Sequence, residues 1–238
     1  MLPDAVFDDL VALAGLSTGD PVLEIGCGTG QATLPLARRG LVVTAIELGP
    51  ELAARARANL RTFRGVEVAT SSFEDWDPPA ERFRTVVAVN SLHWIDPASR
   101  YAKPARLLVA GGTMAVASCK WARPADGDPF FFAVEEDYRA VGYPGDAPVE
   151  PGAIGVWHLP PPALEHFVEV AARRYPFEVT YPVDDYVANL ATQSGTRELG
   201  EQRAHEFLER VRTRLRSLGR SEVTRTLVGL LTVGRRRD

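Results

Sequence analysis

Apolar positions in the first half of the chain come in two alternating textures. Short apolar runs at 21–25, 41–46, 66–70, 85–90 and 113–118 read as strands, and the lack of alternation at 85–90 is what burial on both faces produces. Between them the apolar residues recur at helical spacing. Segment 4–14 carries Val6, Phe7, Leu10, Val11 and Leu13 on one stripe and stops at Gly15. Segment 31–39 takes Thr29 as its expected N-cap and Gly40 as its stop. Segment 50–60 begins with Pro50, and segment 96–108 is stopped by Gly111 and Gly112. Strands separated by helices of this length predict βαβ units and a parallel sheet.

The pattern breaks at Cys119. Nine prolines follow up to Pro176, interleaved with Trp121, Phe130 to Phe132, Tyr138, Tyr143 and Trp157. One crossover helix needs only about a dozen residues, so a connection over 119–175 is expected to build a cap. A sixth strand is expected at 177–181. An amphipathic helix follows over 200–218, with Phe207, Leu208, Val211 and Leu215 inward, and a terminal strand over 223–233. The expected division is therefore a ligand-binding half at 1–118, a cap at 119–175 and a C-terminal part at 176–238 that completes the sheet.

Composition changes this picture little. The chain of 238 residues is 45% hydrophobic with net charge −4, a composition that carries no nucleic-acid footprint. Two cysteines, Cys27 and Cys119, make no disulfide framework and fit a reducing, cytoplasmic setting. No apolar run approaches a membrane span, and the N-terminus lacks signal-peptide character. Residues 197–238 hold eleven arginines against six acids, read either as solvated helix faces or as a surface for an anionic partner. The two lysines, Lys103 and Lys120, are read as a mark of base composition rather than of chemistry.

The chemistry concentrates at Glu24-Ile25-Gly26-Cys27-Gly28-Thr29-Gly30, between the first strand and the next helix. Alternate glycines let the backbone turn tightly and approach a ligand without a Cβ in the way. A dinucleotide fingerprint would place glycine where Gln31 stands. The acid inside the strand also sits badly beside a pyrophosphate but suits an ammonium. Glu47, ending the second strand, can accept both hydroxyls of a ribose. Together they describe S-adenosylmethionine (SAM) better than NAD.

These residues, with 43–47, Ser72-Phe73-Glu74-Asp75-Trp76, Asn90-Ser91-Leu92-His93-Trp94 and the step from Leu107-Leu108 to Gly111-Gly112, resemble the class I SAM-dependent methyltransferases. The likeness covers 4–118 and is nearest to the methyltransferase type 11 and trans-aconitate methyltransferase-like small-molecule branch. It implies an α/β, Rossmann-like, doubly wound and mostly parallel seven-stranded sheet, with the cap between strands five and six. It also implies SAM as cofactor, with Glu24 near the methionine amino group, Gly26, Cys27, Gly28, Gly30 and Gln31 around the backbone floor, and Glu47 on the ribose. Leu48 would pack on the adenine, Ser72, Phe73 and Glu74 would approach its edge, and Asn90 would line the sulfonium end. Relatives carry a further N-terminal segment over SAM, and this chain starts near where that segment would end.

Methyl transfer asks mainly for alignment, and for a base only if the acceptor must lose a proton. His93 is the candidate base, with a pocket wall as its other reading. Trp94, Trp121 and Trp157 are the candidate substrate-pocket residues. No metal is expected, and the partners are a small-molecule acceptor without nucleic acid or membrane, in a monomer or homodimer. The expected reaction is in-line transfer to oxygen, a carboxylate or a hydroxyl. A SAM-binding module without turnover and an NAD(P)-dependent oxidoreductase are the alternatives. The stretch after strand four lacks the Pro-Pro-aromatic step of base-amino methylators and the paired glutamates of arginine methylators.

Overall fold

The structure is a computed structural model and describes residues 2–78, 83–144 and 147–237. Its elements run α1 (Asp4–Ala14), β1 (Pro21–Ile25), α2 (Thr33–Arg38), β2 (Val42–Glu47), α3 (Pro50–Leu60), β3 (Val66–Thr70) and β4 (Phe83–Val89). A 3-10 turn at Leu92–Trp94 leads to α4 (Ala102–Leu107) and β5 (Leu108–Trp121). Then come α5 (Phe130–Ala133), α6 (Glu135–Ala140), α7 (Pro161–Leu164), β6 (Phe167–Pro182), α8 (Val183–Thr192), α9 (Ser194–Glu198), α10 (Glu201–Ser217) and β7 (Glu222–Arg236). The seven strands form one sheet in the order β3-β2-β1-β4-β5-β7-β6. The first five pair in parallel, with Ile25 opposite Ile46, Glu47 opposite Thr70 and Val89 opposite Ala117. Thr180 bonds Thr224 and Thr226 bonds Glu178, a descending register that makes β6 and β7 antiparallel. This mixed, doubly wound α/β sheet holds the parallel βαβ units that the alternation predicted and is the Rossmann-like fold that the resemblance implied.

Several boundaries differ for identifiable reasons. Thr29 caps nothing: Gly26, Gly28 and Gly30 all have positive φ, so the chain becomes helical only at Thr33. Residues 96–108 do not form one helix, because Asp96 folds back to accept the N–H groups of Ala98, Ser99 and Arg100. The helix is α4 alone, and Leu108 already pairs with Phe83 in the sheet. The sixth strand is far longer than 177–181. It lies at the sheet edge, where alternating half-buried and exposed residues replace an apolar run and where a proline such as Pro176 is tolerated.

The chain divides into two compact units that do not coincide with the expected 119–175 cap. The first comprises Met1–Cys119, Gly155–Tyr175 and Gly229–Asp238, and the second Lys120–Ile154 and Pro176–Val228. In the first, Leu159, Ala163 and Phe167 join Leu23, Ile46, Met114 and their neighbours in one buried cluster, which draws the later part of the expected cap into that core. In the second, Phe130, Phe131 and Val134 bury against Tyr186, Leu190, Phe207, Val211 and Leu215. The apolar stripes of α8 and α10 need that cover, so the expected cap is split by where its apolar residues find partners.

Phe207 is fully buried, with its ring 4.7 Å from Tyr138 and 4.9 Å from Tyr143. Truncation to alanine leaves a cavity that these rings cannot fill. Phe207→Ala is expected to lower stability by about 3–5 kcal/mol in urea unfolding, whereas a loss below about 1 kcal/mol would show that the cluster repacks freely.

Candidate active site

Parallel pairing aligns the C-terminal ends of β1, β2 and β4 along one edge, where a cavity of about 320 Å³ opens. Gly26, Gly28, Glu47, Leu48, Ser72, Phe73, Glu74, Asn90 and Trp94 line it. Its size falls within the ~300–1,000 Å³ typical of small-ligand sites.

Glu47 organises the floor. Its Oε2 accepts the N–H of Gly28 at 2.8 Å and its Oε1 that of Gly49 at 2.8 Å, so one carboxylate ties the glycine turn to the end of β2. Each oxygen keeps a further lone pair for a ligand hydroxyl. Gly26 is irreplaceable on two counts: its φ is +69°, and a Cβ there would lie 2.6 Å from that of Ser91. Ser91, which sequence reading passed over, donates to the carbonyl of Ile25 at 2.5 Å and locks β4 against the turn. A Cβ on Gly28 would meet nothing within 4 Å, so its backbone is bare toward the cavity. Gly30 packs on Leu60 of α3, and Gln31 is exposed; neither lines the cavity.

Glu24 is turned away from the cavity. Side chains alternate along β1, so with Ile25 on the cavity side Glu24 faces α2, where its Oε2 accepts the Thr33 hydroxyl at 2.6 Å. Glu24 thus stands behind the glycine turn and outside the cavity lining. Complete burial pushes its carboxyl up to about 7, the Thr33 hydrogen bond pulls the other way, and the nearby Glu47 raises it further. Burial and the same two acids push the Cys27 thiol up to about 12, leaving it a protonated packing group.

The loop after β3 is fixed from below by Lys103. Its ammonium donates to the carbonyls of Phe73, Glu74 and Trp76 at 2.6, 2.9 and 2.5 Å and lies 5.0 Å from the Phe73 ring centroid. The lysine read as a compositional accident is thus the anchor of a cavity wall. Ser72 and Asp75 close that loop on each other, and Glu74 accepts the N–H of Asp96 at 2.8 Å. Asn90 adopts φ +54° and accepts the Cys119 N–H at 2.9 Å, which places its remaining polar edge at the cavity.

Trp94 stands 71% exposed at the cavity rim, with the His93 ring 4.8 Å away. His93 is exposed and does not line the cavity. One further expectation is corrected. Trp157 packs on the first unit's core, and its carbonyl accepts the Thr232 hydroxyl. Trp121 belongs to the second unit and lines a cavity there.

Residues 22–112 match the model of a methyltransferase domain family. That span holds every residue lining the cavity at the strand ends. Over this span the chain is similar to a methyltransferase domain. Over 91 residues the chain is 36% identical to trans-aconitate 2-methyltransferase of Mycobacterium tuberculosis, a segment that is 37% of this chain and 33% of that protein. The chain thus matches about a third of the length of such curated relatives. The methyltransferase fold itself extends across the chain. A protein of Anaeromyxobacter dehalogenans assigned to the type II methyltransferases superposes with a TM-score of 0.68 at 22% identity, covering 99% of this chain and 96% of that one. A geranyl diphosphate methyltransferase in complex with SAM superposes at 0.51 with 16% identity, covering 98% and 85%.

The raised Glu24 carboxyl gives this domain a signed pH dependence. Between 4.5 and about 7 the folded state holds a proton that the unfolded chain releases, so Glu24 makes stability fall as pH rises through that window and level off above it. Glu24→Gln keeps an acceptor for Thr33 but carries no charge. Urea unfolding is expected to show the variant gaining on the parent between pH 5 and pH 8, whereas a gap that does not change with pH would contradict the assignment.

Proposed function

We propose that this chain transfers the methyl group of SAM to an oxygen of a small-molecule acceptor. The observation that carries this reading is the Glu47 carboxylate, held by two backbone N–H groups at the mouth of a bare glycine turn. Such a carboxylate suits the vicinal hydroxyls of a ribose, and the bare backbone at Gly28 admits the chain attached to it. Glu47 and Glu74 in the lining, with Glu24 behind, favour a cationic ligand over a pyrophosphate. Ser72 and the Lys103-anchored loop form the wall for a purine edge, and Leu48, 70% exposed, supplies an apolar face for it.

SAM, when bound, supplies a methyl already activated on a sulfonium, so the reaction needs an aligned acceptor more than a strong base. The chain's own task would be to hold the acceptor oxygen in line with that methyl. Asn90 and Trp94 border the end of the cavity where acceptor and methyl would meet. A carboxylate acceptor brings its own nucleophilic oxygen and asks no proton transfer of His93, in keeping with that residue's position outside the lining. The trans-aconitate named in the relative is such a carboxylate. Two free thiols accord with a cytoplasmic enzyme, and no helix among the described residues is long and apolar enough to cross a membrane.

Calorimetry with S-adenosylhomocysteine and NADH tests the reading. The homocysteine nucleoside is expected to bind and NADH not to. Glu47→Gln is expected to weaken binding by roughly tenfold to a hundredfold, the worth of a charge-assisted hydrogen bond of about 1.5–3 kcal/mol. Binding of NADH alone would reverse the cofactor assignment. Binding without turnover across carboxylate and hydroxyl acceptors would favour a SAM-binding module.

A further inference from the structure

Lysine is scarce in this chain. Of 27 basic residues only Lys103 and Lys120 are lysines, and Lys103 is the buried one. Its side chain leaves α4 and ends beneath the loop after β3, 9% exposed. All three ammonium protons are used there, on the carbonyls of Phe73 at 2.6 Å, Glu74 at 2.9 Å and Trp76 at 2.5 Å. Burying an ammonium is costly, and an apolar side chain of similar size would fill the same space at less cost. What an apolar side chain cannot do is draw three carbonyls onto one point. Arginine cannot do it either, since none of its nitrogens carries three protons.

The carbonyl and the N–H of a trans peptide point opposite ways. With the carbonyls of Phe73 and Glu74 turned onto Lys103, the N–H groups of Glu74 and Asp75 turn away from it. That of Asp75 goes to the Ser72 hydroxyl at 3.0 Å, whereas that of Glu74 bonds nothing among the described residues. The Glu74 carboxylate is divided in the same way: Oε1 accepts the Asp96 N–H at 2.8 Å and Oε2 keeps its lone pairs for a ligand. Phe73 is buried with its ring 5.0 Å from the ammonium, which fixes the loop from a second side. Phe73 and Glu74 both line the cavity at the strand ends. The loop therefore offers one N–H donor and one anionic acceptor on neighbouring atoms of Glu74, held from behind by Lys103.

Adenine carries the matching pair on its six-membered ring, an exocyclic amino group that donates beside a ring nitrogen that accepts. Deamination to hypoxanthine reverses both, leaving a carbonyl beside a ring N–H. A site built for one pattern leaves its own polar groups unpaired against the other. We infer that Lys103 is a positioning residue for the cofactor's base: by holding the loop of Phe73, Glu74 and Trp76 it sets the Glu74 N–H and carboxylate where they accept adenine and reject its deaminated form. This role rests on the cofactor reading above. It adds to that reading a base selectivity and the residue, outside the cavity lining, that maintains it.

The test measures by calorimetry the affinity of the full chain for S-adenosylhomocysteine and for S-inosylhomocysteine, in the parent, Lys103→Met and Lys103→Arg. The parent is expected to prefer the adenine form by at least about tenfold. Lys103→Met keeps the length of the side chain without its donors. It is expected to weaken the adenine form by about tenfold and the inosine form little, so that the preference largely disappears. A residue with a purely structural role would weaken both alike. Lys103→Arg keeps the charge but cannot bring one nitrogen to three carbonyls, so it is expected to fold and to show a preference between those of the other two. Equal weakening of both nucleosides, or an unchanged preference, in a folded methionine variant would overturn the role of Lys103. If the methionine variant does not fold, the arginine variant decides: a partial loss of preference supports the role and an unchanged preference overturns it. A parent that binds both nucleosides equally overturns the role while the cofactor reading stands. A parent that binds neither overturns the cofactor reading and this role with it.

Discussion

The site depends on one carboxylate holding two pieces of backbone. Glu47 accepts from Gly28 on one side and Gly49 on the other, so the turn after β1 and the turn after β2 are fixed by a single side chain. The restraint matters because Gly26, Gly28 and Gly30 all occupy positive φ, and a run of glycines has little conformational preference of its own. Ser91 adds a second restraint by bonding Ile25 and filling the space that a Cβ on Gly26 would need. The backbone is thereby held bare and rigid where a ligand approaches, which is what preorganised binding requires.

The parallel half of the fold was legible because its central strands, buried on both faces, announce themselves as apolar runs. The strand at 21–25, the short edge strand at 66–70 and the helix begun by Pro50 were read at their observed bounds. Edge strand β6 was not, since its alternation of half-buried and exposed residues dilutes the apolar signal. The cap was expected as one insertion, but its two halves follow different cores, and that partition depends on tertiary partners absent from any local window.

At the site, the cavity position of Glu47 was legible from its place at a strand end. The orientation of Glu24 was recoverable too: neighbours on a strand face opposite ways, so Ile25 toward the ligand means Glu24 behind it. Lys103 gave no local signal. Its role comes from three carbonyls some thirty residues away that converge only in the fold.

The most direct test of this account is a crystal structure of the chain with S-adenosylhomocysteine. The account predicts the ribose hydroxyls within hydrogen-bonding distance of the Glu47 carboxylate and the homocysteine chain running past Gly26 and Gly28. A nucleoside bound elsewhere, or a Glu47 side chain that leaves the glycine turn when the ligand enters, would contradict it.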